Sequence, residues 1–145
     1  MTLNDLTLDI TESIDVKADI GDVYRSVLHR LGEGITNSKG ESMQMTLEQW
    51  PGGRWFRDRG NGVGHLWGHV QAIKRPTLLE ITGPLFMSDA VVSNVQYRLS
   101  EENGATVIRF NHKAFGLIQE EHRKGVIPGW THINQRIKER AEGKR

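Results

Sequence analysis

Two residues of this chain, His112 and Tyr97, have the chemistry to move protons inside a protein. An imidazole and a phenol facing one apolar space could transfer protons at a carbonyl-bearing substrate. Spacing decides whether they meet. Val91, Ser93, Val95, Tyr97 and Leu99 alternate along one segment; Thr106, Ile108, Phe110, His112 and Ala114 alternate along the next. Alternation puts each set on one face of a strand. The turn Glu101-Glu102-Asn103-Gly104 between them carries the Asn-Gly hairpin signal, so both sets point the same way, into the interior. The commoner role for a histidine so placed is a neutral imidazole satisfied by its neighbours. With no acid beside it in sequence, a structural His112 is favoured over a catalytic one, and a binding protein over an enzyme.

Other chemistries find less support. His65 and His69 have a spacing that joins two metal ligands on a helix, but they fall in a strand pattern. Four strand residues span about 13 Å, too far for one shared ion, and no metal site is expected. Gly62-Val63-Gly64-His65-Leu66-Trp67 lacks the third glycine of a nucleotide loop, and no helix pattern follows it. Glycines 60, 62, 64 and 68 read better as turn and sheet-bend residues. The chain has no cysteine, His-Glu-x-x-His sequence, Walker loop or Gly-x-Ser-x-Gly elbow, and no cofactor is expected. Arg54, Arg57 and Arg59 suggest an exposed basic stripe on one strand, a solvated face more often than a partner site.

The inward aromatics point to a different use. Alternation within strands and helical spacing near the C-terminus direct Met45, Leu47, Trp55, Trp67, Tyr97, Phe110, His112 and Trp130 toward the interior. These eight are the candidate ligand-binding residues. Core packing is the ordinary use of such aromatics; a partly open pocket would make some of them ligand contacts.

The elements that must hold them can be read from composition and periodicity. The chain has 145 residues, 37% hydrophobic and 26% charged, with a net charge of +1, which fits one globular domain over 1–145. Nothing resembles a signal peptide or a membrane span, so a cytoplasmic protein is expected. Near-neutral charge gives no general pull toward nucleic acid. Leu8, Ile10, Ile14 and Val16 alternate through a strand over Thr7–Val16, interrupted on that face by Glu12. Asp19 is placed to cap a helix whose apolar stripe is Ile20, Val23, Tyr24, Val27, Leu28 and Leu31. Strands follow at Met43–Leu47, Arg54–Asp58, Val63–Lys74, Leu78–Thr82, Val91–Ser100 and Ala105–Ala114, with hops short enough for antiparallel pairing. The last segment is broken at Gly125 and at Pro128-Gly129. This predicts a short helix or loop over Leu117–Lys124 and a separate helix over Pro128–Glu142, with Pro128 in its first turn and Trp130, Ile133 and Ile137 buried. The expected fold is α+β.

The order of these elements carries a resemblance. With Ile14-Asp15-Val16-Lys17-Ala18, Val23-Tyr24, Gly52-Gly53, Gly68-His69-Val70, Pro76-Thr77-Leu78, Gly104-Ala105-Thr106, His112 and Gly129-Trp130, the chain resembles the START-like (SRPBCC, helix-grip) superfamily. Within it, the chain is similar to the branch of the heat-shock-protein ATPase activator homologues. Asp19 departs from a proline common there, and only Pro76 remains of a usual proline pair. The resemblance implies a curved antiparallel sheet of about seven strands wrapped around a long C-terminal helix. It implies a small hydrophobic molecule (lipid, polyketide or aromatic compound) as ligand. It also admits a cyclase-like activity through His112 and Tyr97, a chaperone partner, and a homodimer.

Overall fold

Seven strands and two long helices account for most of the chain; the computed structural model describes residues 2–143. A 3-10 turn at Leu3–Leu6 leads into β1 (Thr7–Val16), α1 (Ile20–Leu31), β2 (Met45–Leu47), β3 (Arg54–Asp58), β4 (Gly64–Lys74) and β5 (Leu78–Gly83). A second 3-10 turn at Leu85–Met87 precedes β6 (Ala90–Glu102), β7 (Ala105–Leu117) and α2 (Glu120–Ala141). The strands form one sheet in the order β1-β7-β6-β5-β4-β3-β2, every neighbouring pair antiparallel. This is an α+β helix-grip fold, with both helices on the concave face.

Local sequence explains the frame. The Asp19 carboxylate accepts the backbone N–H of Asp22 at 2.9 Å, capping α1 as its position predicts. At the other end of α1, the indole of the fully buried Trp55 donates to the carbonyl of Leu31 at 2.7 Å, satisfying a carbonyl the helix leaves open. Gly68 is required by a close approach: a Cβ there would lie 2.5 Å from the carbonyl oxygen of Thr82. Along β6 and β7 the inward residues are buried as alternation requires, including Val95, Tyr97, Ile108, Phe110 and His112.

Three expectations need correction. The C-terminal segment is a single helix of 22 residues with Pro128 in its interior, not a loop followed by a shorter helix. Proline removes the bond to the carbonyl four residues back, that of Lys124. Both Pro128 and Lys124 lie on the exposed side of the helix, while Val126 and Trp130 hold it down on its other side. The buried stripe of α2 is Val126, Trp130, Asn134 and Ile137; Ile133 is only partly buried. Finally, Arg54 and Arg57 do not share a face. Arg54 chelates Glu48 and lies over Phe56 at 4.5 Å, whereas Arg57 shares the concave side with Trp55 and pairs in register with Met45.

The exposure of Ile133 and Ile137 sets a test. Urea unfolding should show Ile137→Ala losing about 2–5 kcal/mol and Ile133→Ala clearly less. Equal losses would contradict the observed stripe.

Candidate functional site

Between the N-terminal half of α2 and the sheet lies a largely apolar cavity of about 410 Å³. Gly125, Pro128, Gly129, His132 and Ile133 of α2 form one wall, and the segment from Ile35 to Met43 forms the wall opposite. Trp67 from β4, Phe86 from the second 3-10 turn and Trp130 complete it. Ile35 and Trp130 are buried within it, whereas Ser38, Gly125, Pro128 and Gly129 are exposed at its rim.

The glycines of this wall are not demanded by packing. A Cβ at Gly125 or Gly129 would meet nothing within 4 Å, and neither has a left-handed backbone. Each glycine in a helix interior costs about 1 kcal/mol relative to alanine, and proline about 3. The lining half of α2 therefore has low intrinsic helicity, and side chains that would narrow the cavity are missing where it opens.

Behind this wall, two chains of hydrogen bonds tie α2 to the sheet. The indole Nε1 of Trp130 donates to His112 Nδ1 at 2.9 Å, and His112 Nε2 lies 2.9 Å from Ser93 Oγ. Because Nδ1 accepts, the neutral ring carries its proton on Nε2 and donates it to Ser93. Burial pushes the His112 pKa down to about 4, so the ring is neutral at physiological pH. In the second chain, the Tyr97 hydroxyl donates to Asn134 Oδ1 at 2.6 Å, and Asn134 Nδ2 donates to Glu12 at 2.9 Å. Thr131 donates to the other oxygen of Glu12 at 2.9 Å. Burial, with the Glu12 charge nearby, raises the Tyr97 pKa well above its ordinary value. Aromatic contacts connect the two chains: Tyr97 to Phe110 at 5.0 Å and Phe110 to Trp130 at 4.8 Å between ring centroids.

A further pair of histidines anchors the cavity's outer edge. The buried carboxylate of Asp89 accepts from the backbone N–H of Gln119 at 3.1 Å and is bonded to His122 Nδ1 at 2.9 Å, pinning the start of α2. Burial opposes ionisation of Asp89, but these hydrogen bonds outweigh it and its pKa is lowered. Trp67 Nε1 donates to His65 Nδ1 at 3.1 Å, and His65 Nε2 lies 2.8 Å from Ser88 Oγ. The proton of neutral His65 is thus on Nε2, facing the hydroxyl, so this ring cannot act as a base toward Ser88.

Residues 35–142 match the sequence pattern of the family described as Activator of Hsp90 ATPase homolog 1-like protein. The chain belongs to this family. No curated protein matches it in sequence. Among solved structures, an uncharacterized protein from Rhizobium leguminosarum superposes with a TM-score of 0.74 at 16% identity, over 95% of this chain and 96% of that one. Ara h 8.0201 gives a TM-score of 0.65 at 13% identity, covering 95% of this chain and 99% of its own. The di-domain ARO/CYC StfQ of the steffimycin biosynthetic pathway gives 0.65 at 11% identity, over 97% of this chain and 51% of that one. At these identities the likeness shows the START-like fold that the family shares.

Within this family member, the eight sequence candidates divide into three places. Trp67 and Trp130 line the cavity. Met45 and Leu47 border a separate groove beside α1, whose other walls include Arg25, His29, Glu33 and Arg75 and which is correspondingly polar. Trp55, Tyr97, Phe110 and His112 lie behind the cavity, each at most 1% exposed. The cavity residues that sequence reasoning did not single out include Ile35, Phe86 and His132. The Gly125 to Gly129 interval did carry a signal: two glycines four apart mark one helix face, had the segment been read as a continuous helix.

Stability should report the state of His112. A folded-state pKa near 4, below the ordinary 6.5, means that the unfolded chain binds this proton first as pH falls. His112 therefore contributes full stability above about pH 6.5 and loses it progressively down to about pH 4. Replacing it as His112→Gln should cost about 1–3 kcal/mol at pH 7 and flatten the stability profile over that window. An unchanged profile in the variant would place the proton elsewhere.

Proposed function

We propose that this protein binds a small, mostly apolar molecule in the cavity between α2 and the sheet, and that it does so without chemistry at His112 or Tyr97. One observation carries the reading: a cavity of about 410 Å³ whose helical wall is built from glycines that no neighbour requires. Its volume falls in the range of about 300–1,000 Å³ common for small-molecule sites. Trp67, Phe86 and Trp130 present aromatic surface, Ile35, Met43 and Ile133 aliphatic surface, and Asn37 and Ser38 a few polar groups at the rim.

A cyclase-like enzyme is the second reading, and the StfQ likeness is the observation that favours it. Against it stand the hydrogen bonds that occupy both nitrogens of His112, and the burial of Tyr97, whose hydroxyl is directed to Asn134. For His112 to exchange a proton with a ligand, either the Trp130 or the Ser93 bond must break.

The test is tryptophan fluorescence titrated with fatty acids, flavonoids and aromatic polyketides, preceded by native mass spectrometry of undelipidated protein. A saturable change is expected with at least one class, and Gly129→Leu, which fills the cavity, should abolish it while the protein stays folded. Binding undiminished by Gly129→Leu would put the ligand elsewhere; no saturable change with any class would defeat the reading. Turnover lost in His112→Gln at unchanged stability would promote the enzyme.

A further inference from the structure

The cavity adjoins a second hollow of different chemistry, with three residues lining both. Met43, Trp67 and Phe86 line both spaces. Beyond them the hollow, about 310 Å³, is bordered by Arg57, Arg59 and His65. Arg57 shares the concave side with Trp55, in register with Met45 on one side and His65 on the other. Its Nε is buried and has no hydrogen-bond partner. Among the described residues, neither Arg57 nor Arg59 takes part in an ion pair. The neighbouring acid, Asp58, lies on the opposite face of β3 and accepts the backbone N–H of Gly60 at 2.9 Å.

A guanidinium with a buried, unpartnered N–H is costly unless an acceptor is supplied. Here the acceptor would enter from the hollow. The Arg59 guanidinium, which also borders the hollow, has no carboxylate partner among the described residues and adds donors; His65 does not, since Trp67 occupies its Nδ1 and Ser88 its Nε2. The apolar cavity and the basic hollow thus form one amphipathic site, with the edge shared by Trp67 and Phe86 as the boundary between them.

Building on the binding role proposed above, we infer that the ligand is an apolar acid: its hydrophobic body occupies the cavity beside Trp130 and Ile133, and its carboxylate or other anionic group lies in the hollow against Arg57 and Arg59. Arginine suits this position because its planar fork can hold two oxygens of one anion at once. The basic residues on the far side of the cavity, Arg30 and Arg136, serve differently. Arg30 also has a buried Nε without a partner, but it donates through Nη1 to the carbonyl of Gly34 at 2.9 Å, Arg136 is paired with Glu139 at 2.6 Å, and neither borders the cavity or the hollow.

The probes are 1-pyrenebutyric acid and the matched alcohol 1-pyrenebutanol, titrated by fluorescence at low salt and pH 7.5. The acid should bind about tenfold tighter than the alcohol, the scale of one well-placed charge contact. Arg57→Gln should reduce acid affinity to that of the alcohol and leave alcohol affinity unchanged. The exposed Arg59→Gln should do so in part, and it keeps the test decisive if Arg57→Gln does not fold. Arg30→Gln should leave the preference intact. Equal affinities for acid and alcohol would overturn the anionic ligand while preserving the apolar cavity, as would a preference that survives both Arg57→Gln and Arg59→Gln. A preference lost in Arg30→Gln alone would move the charged group to the far side. Binding of neither probe would overturn both the acid and the cavity reading.

Discussion

The hydrogen bond from the Trp130 indole to His112 sets the geometry of this molecule. Trp130 sits near the middle of α2, and His112 is fixed on the concave face of β7 by its own bond to Ser93. Joining them fixes how closely the helix approaches the sheet and turns one side of Trp130 toward the cavity. A buried imidazole with both nitrogens committed is rigid, since breaking either bond leaves an unsatisfied polar group in an apolar setting. The histidine is therefore a structural support for the site, and its low pKa follows from the burial that this support requires.

From that point the two halves of α2 diverge. The C-terminal half is anchored by the fully buried Ile137, by the Ser26 hydroxyl donating to the Ile137 carbonyl at 2.7 Å, and by Glu142 accepting the backbone N–H of Lys17 at 2.8 Å. The N-terminal half is held at its start by Asp89, by Arg123 donating to the carbonyls of Thr7 and Asp5, and at one buried side chain, Val126, but contains Gly125, Pro128 and Gly129. Stability is thus concentrated away from the cavity, and the wall that a ligand must pass has the weaker helix-forming sequence. The same division places the charged and apolar features of the site at different ends, with the tryptophan-lined space under α2 and the unpaired arginines toward β3.

Much of this was legible because it rests on local rules. The Thr7–Val16 alternation, the Asp19 cap and the inward sets of β6 and β7 follow from period and capping chemistry, and the structure repeats them nearly residue for residue. What escaped depended on contacts distant in sequence. Glu12 looked like a flaw in the face of β1; it is the partner of Asn134 and Thr131, 122 and 119 residues away. The sequence places Ile133 on the buried stripe of α2; Asn134 takes the buried position there because Tyr97 and Glu12 satisfy it. Pro128 read as a helix start because the propensity rule is local, whereas packing of Val126 and Trp130 carries the helix through it. Phe86 has no periodic signature that would assign it to a site, since it lies on a short turn; Arg57 alternates with the inward Trp55, but the sequence groups it with Arg54 as part of one basic stripe.

The most direct test of the Trp130 to His112 anchor is long-range proton–nitrogen NMR of the histidine rings together with hydrogen exchange at the Trp130 indole. The expected result is the Nε2-protonated tautomer for His112, unchanged as pH falls through 6.5 to about 5, and an indole proton that exchanges as slowly as the core amides. A His112 ring that titrates near 6.5, or that carries its proton on Nδ1, would contradict it.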